Sequence, residues 1–333
     1  MTSPKIFERL PSDPSPIHYD LTYSWVSLEG TTEFEGKVEV LVEFGKSFET
    51  ANKTTVKLNS LNLDIASAKL DQRDTSCISI FAKQQLVVLE FEGPTMDGKT
   101  TLVINFRGRL SEQLSGFYKS KLSDNLIMGV TQFEATDARR AFPCWDEPAR
   151  KATFRLKMTV SPEAMVYSNT RPKRKTFVQT TWPSGKIKEG IEWEFYPTPK
   201  MSTYLLAWAV TPTASLFDQV SACSTVPPFT ETIVYVPKGK AKQAEFALNI
   251  GVKALEFFAD IFDMEYPLPL LQHFACADFS AGAMENFGFI TYREARLLIN
   301  PETSTSSSKR DVARVVCHEI AHQWFGNTCT MGR

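Results

Sequence analysis

Charge of one sign, long apolar runs, paired cysteines and histidine are all scarce in this sequence of 333 residues, and each scarcity excludes something. Lys plus Arg number 37 and Asp plus Glu 38, for a formal charge of -1. No overall field therefore draws the chain to phosphate backbones or anionic lipid, and a nucleic-acid partner is not expected. No stretch approaches 18 consecutive apolar residues, so no membrane partner is expected either. The start, Met1-Thr2-Ser3-Pro4-Lys5, runs into charged and Pro-rich sequence without the apolar core of a secretory signal. A soluble, cytoplasmic protein is the expectation. The six cysteines (Cys77, Cys144, Cys223, Cys276, Cys317, Cys329) show no CxxC spacing, which fits reduced, mostly buried thiols. Nothing in the sequence speaks to an oligomer.

What is present is apolar material for more than one core: 43% apolar and 12% aromatic residues, at a length that suggests two domains. From Tyr19 to about Val210 the dominant period is two. Phe34, Val38, Val40, Val42 and Phe44 share one parity, as do Leu102, Ile104 and Phe106, and Phe154, Leu156, Met158 and Val160. Such alternation marks half-buried strands. Turn pairs at Asp97-Gly98, Ser184-Gly185 and Glu189-Gly190 separate them, and helical patterning is almost absent. The expectation is an antiparallel β-sandwich or saddle-shaped sheet assembly.

The period changes after Pro237. Phe246, Ile250, Ala254, Phe257 and Ile261 recur every three or four residues within 238–263, predicting an amphipathic helix with these residues on its apolar face. Two short strand-like runs follow, Leu271–Cys276 and Phe289–Tyr292, on either side of the Gly-containing segment 281–288. A serine-rich loop, Thr303–Ser308, reads as a mobile connection. The last element reads as a helix from about Lys309 to Phe325, with Ser308 and Asp311 as a capping box and Gly326-Asn327 as its stop. Val312, Val315, Val316 and Trp324 supply its apolar face. The class is therefore α+β, with an all-β domain over 1–210 and a second domain over 211–333.

Of only four histidines, two fall in His318-Glu319-Ile320-Ala321-His322 on this last helix. At about 100° per residue the two imidazoles lie roughly 40° apart around the axis and one turn apart along it, so both can reach one ion. That suits zinc. Glu319 projects near the same point without entering the ligand shell, where a general base belongs. The plainer alternative is a helix whose histidines are solvated or hydrogen-bonded in a core. His18 and His273 have no motif partner and read as structural.

His318 to Asn327 (HEIAHQWFGN), Gly282-Ala283-Met284-Glu285-Asn286 and the run Thr131 to Pro148 (TQFEATDARRAFPCWDEP) together resemble the zinc aminopeptidase family that includes the puromycin-sensitive and alanyl aminopeptidases. The likeness runs from Phe7 to Asn327. It implies a thermolysin-like zincin catalytic domain, of which 211–333 would be the first part, one Zn2+ held by His318 and His322, and Glu319 as catalytic base. It implies further that Gly282, Ala283, Met284, Glu285 and Asn286 line a sheet edge that pairs with extended substrate, Glu285 meeting the free amino terminus. Gln132 and Glu134 would line the first substrate pocket and help hold that amine. Peptides with a free N-terminus would be the partners. Two carboxylates facing one cation favour an aminopeptidase, because an internal peptide brings no ammonium to offset their repulsion. Asp137, Arg139 and Arg140 read instead as a solvated ion-pair cluster.

The likeness also implies a third zinc ligand, a Glu that follows the second His after eighteen intervening residues, and a downstream Tyr; only eleven residues follow His322. The expectation is an incomplete form with weak or no zinc binding and little or no activity. The valines and Trp324 of the last helix would then be left uncovered. Cys329 is a conceivable substitute ligand, a buried thiol being the commoner outcome. Two other readings stand beside the enzyme: a non-catalytic peptide-binding or regulatory fragment, and a plain β-sandwich interaction module.

Overall fold

The computed structural model describes residues 9–332 except 29, 31, 46–51, 95–96, 124–125, 182–186 and 228. The start of the family likeness at Phe7 and the turn at Ser184-Gly185 lie outside the described residues. Among the described residues fourteen strands come first: β1 (Ser15–Val26), β2 (Glu33–Phe44), β3 (Lys53–Asn59), β4 (Asp64–Leu70), β5 (Arg73–Phe81), β6 (Leu86–Glu92), β7 (Gly98–Arg109), β8 (Gly116–Ser123), β9 (Leu126–Gln132), β10 (Thr153–Val160), β11 (Met165–Ser168), β12 (Pro172–Thr181), β13 (Ile187–Phe195) and β14 (Trp208–Thr211). Ten of them form one sheet, in the order β12-β13-β10-β1-β2-β7-β4-β5-β6-β3. The other four form a second, β11-β14-β9-β8. Pairing is antiparallel throughout these two sheets except between β1 and β10, which run parallel with His18 opposite Thr153. Gly190 lies inside β13 rather than at a turn.

Alternation decides which side of each strand is buried. In β2, Phe34, Val38, Val40, Val42 and Phe44 are all buried. The two sheets meet through aromatic rings: Tyr23 of the large sheet packs on Phe117 and Trp208 of the small one and Phe34 on Phe117, with Phe106 behind Tyr23 and Phe133 against Trp208. Each such ring removes roughly 150–250 Å² from water, so the cluster is a main source of cohesion between the layers.

The rest of the chain is α/β in character: β15 (Phe217–Cys223), β16 (Glu231–Pro237), α1 (Ala241–Ile261), β17 (Leu270–Cys276), β18 (Ala283–Met284), β19 (Phe289–Arg293) and α2 (Ser306–His322). The sheet order is β15-β16-β17-β19-β18, parallel over β16-β17-β19 and antiparallel at both edges. Both faces of β17 are covered, and all seven of its residues are buried. Among the described residues no helix is long and apolar enough to cross a membrane.

Three expectations change here. The buried face of α1 is Ala244, Ala247, Leu248, Gly251, Ala254 and Leu255, while Phe257 and Ile261 are exposed. Small residues win because they let the helix approach the sheet: a Cβ on Gly251 would stand 3.2 Å from His273 Nε2. The second helix begins at Ser306, not Lys309, and its cap is Thr305, whose hydroxyl accepts from Ser308 N at 3.1 Å. The serines are thus its first turn. Finally, Val312, Val316 and Trp324 are covered and Val315 is half-buried, Trp324 lying against Phe258, Phe262 and Tyr266, and exposed apolar residues nearby include Phe257, Ile261, Phe262, Met264 and Phe325.

Candidate active site

Helix α2 carries His318, Glu319 and His322, with Glu319 turned inward at 5% exposure. The two imidazoles point at a common spot: their Nε2 atoms stand 3.1 Å apart with the rings near perpendicular at 89°. Two nitrogens bound to one tetrahedral ion at about 2.0–2.1 Å stand roughly 3.3–3.4 Å apart, so the pair has the spacing of two ligands on one metal. His322 Nδ1 lies 2.9 Å from the carbonyl of Phe325. A carbonyl only accepts, so Nδ1 carries the proton and Nε2 keeps its lone pair. Among the described residues no group of three His, Cys, Asp or Glu side chains is placed to hold an ion. Cys329 therefore does not complete the set. It is exposed, and its backbone folds back through bonds to Trp324 and Gly326.

Acids surround this pair. Glu285 follows β18 at the sheet edge and is 8% exposed, while Glu134 follows β9 and reaches the same place from the N-terminal sheets. Burial, and then Glu285 and Glu134, push the Glu319 carboxyl up to about 8. Glu134 is raised by burial and by Glu285 and lowered by His322. His318 is lowered by burial and by His322. These mutual effects bring His318, His322, Glu319, Glu285 and Glu134 into one electrostatic neighbourhood. Gln132, at the end of β9, is buried, and its Oε1 has no hydrogen-bond partner among the described residues. The Glu134-Ala135 peptide bond is cis.

The segment 282–286 is held by its neighbours. Ala283 and Met284 pair with Tyr292 and Thr291 on β19, and Asn286 Nδ2 donates to Thr291 Oγ1 at 3.2 Å. Gly282 is exposed beside them. Gly288 closes the turn at φ +75, and a Cβ there would fall 2.4 Å from the carbonyl oxygen of Asn169. Asn169 Nδ2 in turn donates to the carbonyls of Leu205 and Phe287, both at 2.8 Å.

Sequence reasoning assigns no functional role to Tyr204, Gln323 or Asn327, the last of which it reads only as part of a helix stop. Tyr204 is buried, and its phenol is pushed up by burial and then by Glu285 and Glu134. No local motif announces it. Gln323 and Asn327 lie inside the run after His322, where an amide one or five positions beyond that residue is the available signal.

Arg139 corrects an expectation. It is 6% exposed, and its Nε donates at 2.9 Å to Asp146, itself 3% exposed. Thr203 Oγ1 donates to the other oxygen of Asp146 at 2.8 Å. This is a buried structural network, and only Arg140 and Asp137 form a partly wet pair. Of the cysteines only Cys144 and Cys276 are buried, so the thiols are not mostly buried.

The N-terminal β assembly brings a carboxylate to a helix-borne His-Glu-His cluster, and the comparisons with known proteins give this two-part architecture a family. Residues 15–205 match the peptidase M1 N-terminal domain and residues 246–333 the peptidase family M1 domain. The chain belongs to the peptidase M1 family. It is 42% identical over 328 residues to Aminopeptidase M1-C of Oryza sativa subsp. japonica, and 39% identical over 333 residues to Aminopeptidase 2, mitochondrial, of Saccharomyces cerevisiae. To Endoplasmic reticulum aminopeptidase 2 of Bos taurus it is 36% identical over 340 residues. Each match covers 97% of this chain but only 35%, 33% and 33% of the respective relative. The chain spans about a third of the length of these relatives.

Proposed function

We propose that this chain carries the amine-recognising half and the first two metal ligands of a zinc-dependent aminopeptidase that removes N-terminal residues from peptides. The observation that supports it most is the 3.1 Å approach of His318 Nε2 and His322 Nε2 beside three mutually coupled acids. His318 and His322 would hold Zn2+, which when bound polarises the scissile carbonyl and water. Glu319, whose carboxyl is pushed up by burial and then by its acidic neighbours, would take a proton from the attacking water and return it to the leaving nitrogen. Glu285 and Glu134 receive the substrate ammonium, for which the unpartnered Gln132 Oε1 is a further acceptor. Gly282, Ala283, Met284 and Asn286 offer the sheet edge to the extended peptide. In this reading 1–210 is the recognition domain and 211–333 the first part of the catalytic one. Residence in the cytoplasm belongs to the same proposal, with fractionation as its check.

A non-catalytic peptide-binding fragment is the second reading. It is favoured by one contrast: the acids that suit an amine are assembled here, whereas the two histidines are the whole metal group among the described residues. The deciding experiment pairs zinc titration with hydrolysis of an aminoacyl reporter by the chain and by its Glu319→Gln variant. Turnover that falls by several orders of magnitude in the variant, with zinc content unchanged, supports the enzyme. Binding of leucinamide without turnover supports the fragment. Equal turnover in both proteins refutes the role of Glu319.

A further inference from the structure

Glu285 sits just past a strand of only two residues, at the outer edge of the sheet, where ladder hydrogen bonds on one side cannot by themselves fix it. Its position is set instead by the segment that follows His322. Gln323 Nε2 donates to the Glu285 carbonyl at 3.1 Å, and Asn327 Nδ2 donates to the same oxygen at 2.8 Å. Gln323 Nε2 also lies 3.3 Å from the carbonyl of Glu319, while its Oε1 accepts from Gly288 N at 3.1 Å. Both amides are wholly inaccessible. Asn327 is fixed in turn by its own N–H to the carbonyl of His322 at 3.0 Å and by Lys151 Nζ on its carbonyl at 3.1 Å.

We propose that Gln323 and Asn327 are positioning residues that set the separation between the acid receiving the substrate amine and the histidine pair. The inference rests on the reading of Glu285 and the histidines given above. The clamp ties together the three parts whose relative placement matters: Gln323 adjoins His322 in sequence, touches the backbone of Glu319, and with Asn327 grips that of Glu285. Because the grip is on backbone, the Glu285 side chain stays free for a ligand. Buried two-donor clamps of this kind hold a group within a fraction of an ångström, and a shift of about 1 Å costs on the order of a hundredfold in a positioned reaction. The number of residues between a bound amine and the reacting bond is then a property of two side-chain amides that touch neither.

The test measures binding of leucinamide and of N-acetyl-leucinamide to the chain and to its Gln323→Met and Asn327→Ala variants, with thermal melting alongside. A structural role alone lowers the melting temperature and leaves the preference of the folded protein for the free amine unchanged. A positioning role lowers that preference at least tenfold in both variants, including Asn327→Ala under conditions where it is fully folded. Should Gln323→Met fail to fold, Asn327→Ala decides by the same ratio. Wild-type preference retained in the folded variants overturns the clamp while leaving the reading of the site standing. Absence of any preference in the wild-type chain overturns that reading and the clamp with it.

Discussion

Asp146 and Glu319 are both carboxyl groups with almost no contact with solvent, yet their surroundings differ in sign. The Asp146 carboxylate accepts from the Arg139 guanidinium, from the Arg139 backbone N–H and from the Thr203 hydroxyl, so its charge has an opposite beside it. Glu319 meets other acids, and burial and then those acids raise its pKa to about 8. A closed network of opposite charges fixes structure. A cluster of like charges costs stability and is explained by a cation that it serves. The molecule thus separates the two uses of buried charge, one beneath the β sheets and one at the edge of the α/β sheet.

That contrast can be broken most forcefully at Asp146. Replacing it with Ala leaves Arg139 buried and unpaired, and stability should fall by about 3–5 kcal/mol, read as a shift in the denaturation midpoint. A loss under 1 kcal/mol would show that water enters and the network is not closed. His273 gives the next largest effect. It is fully buried, its Nδ1 lies 3.0 Å from Tyr292 Oη, and desolvation lowers its pKa from 6.5 to about 3. The unfolded chain takes up this proton first, so the contribution of His273 is complete above about pH 6.5 and drains away as pH falls toward 3. Between pH 7 and 5 it should account for about 2 kcal/mol. Denaturation of wild type and His273→Gln at both pH values checks this, the variant showing the shallower acid loss.

On the acidic side of the comparison the sign should reverse. Glu134→Gln removes a repelling charge, so stability should stay within about 0.5 kcal/mol of wild type or rise, while affinity for leucinamide falls roughly tenfold. A marked loss of stability would move Glu134 into the structural class. Smallest among these is Thr305→Ala, which deletes the cap of α2 and should cost about 1 kcal/mol without altering ligand preference.

How far the sequence could be read follows the same division. Strands such as β2 and β7 were legible because alternation survives wherever one face is buried, and the His-Glu-His spacing was legible because helix geometry alone brings the imidazoles together. The face of α1 was misjudged because Phe257 and Ile261 look like core, whereas contact with the sheet is made by Ala244, Ala247 and Gly251, which carry little hydropathy signal. Arg139 looked solvated because its partner lies seven residues on and its burial depends on Asn59, Gln85 and Thr203 from elsewhere in the chain. The grip of Gln323 on Glu285 spans 38 residues and is invisible to any local pattern.

The parallel pairing of β1 with β10 places residues 18 and 153 side by side. During synthesis the opening strand must therefore wait until some 130 further residues have left the ribosome before its second flank is filled. For that interval an apolar ribbon bearing Tyr19, Leu21 and Tyr23 has a neighbour on one side only. Non-local closure of this kind is slow and prone to capture by other chains. The nascent chain is accordingly open to such capture early in translation, long before α2 exists.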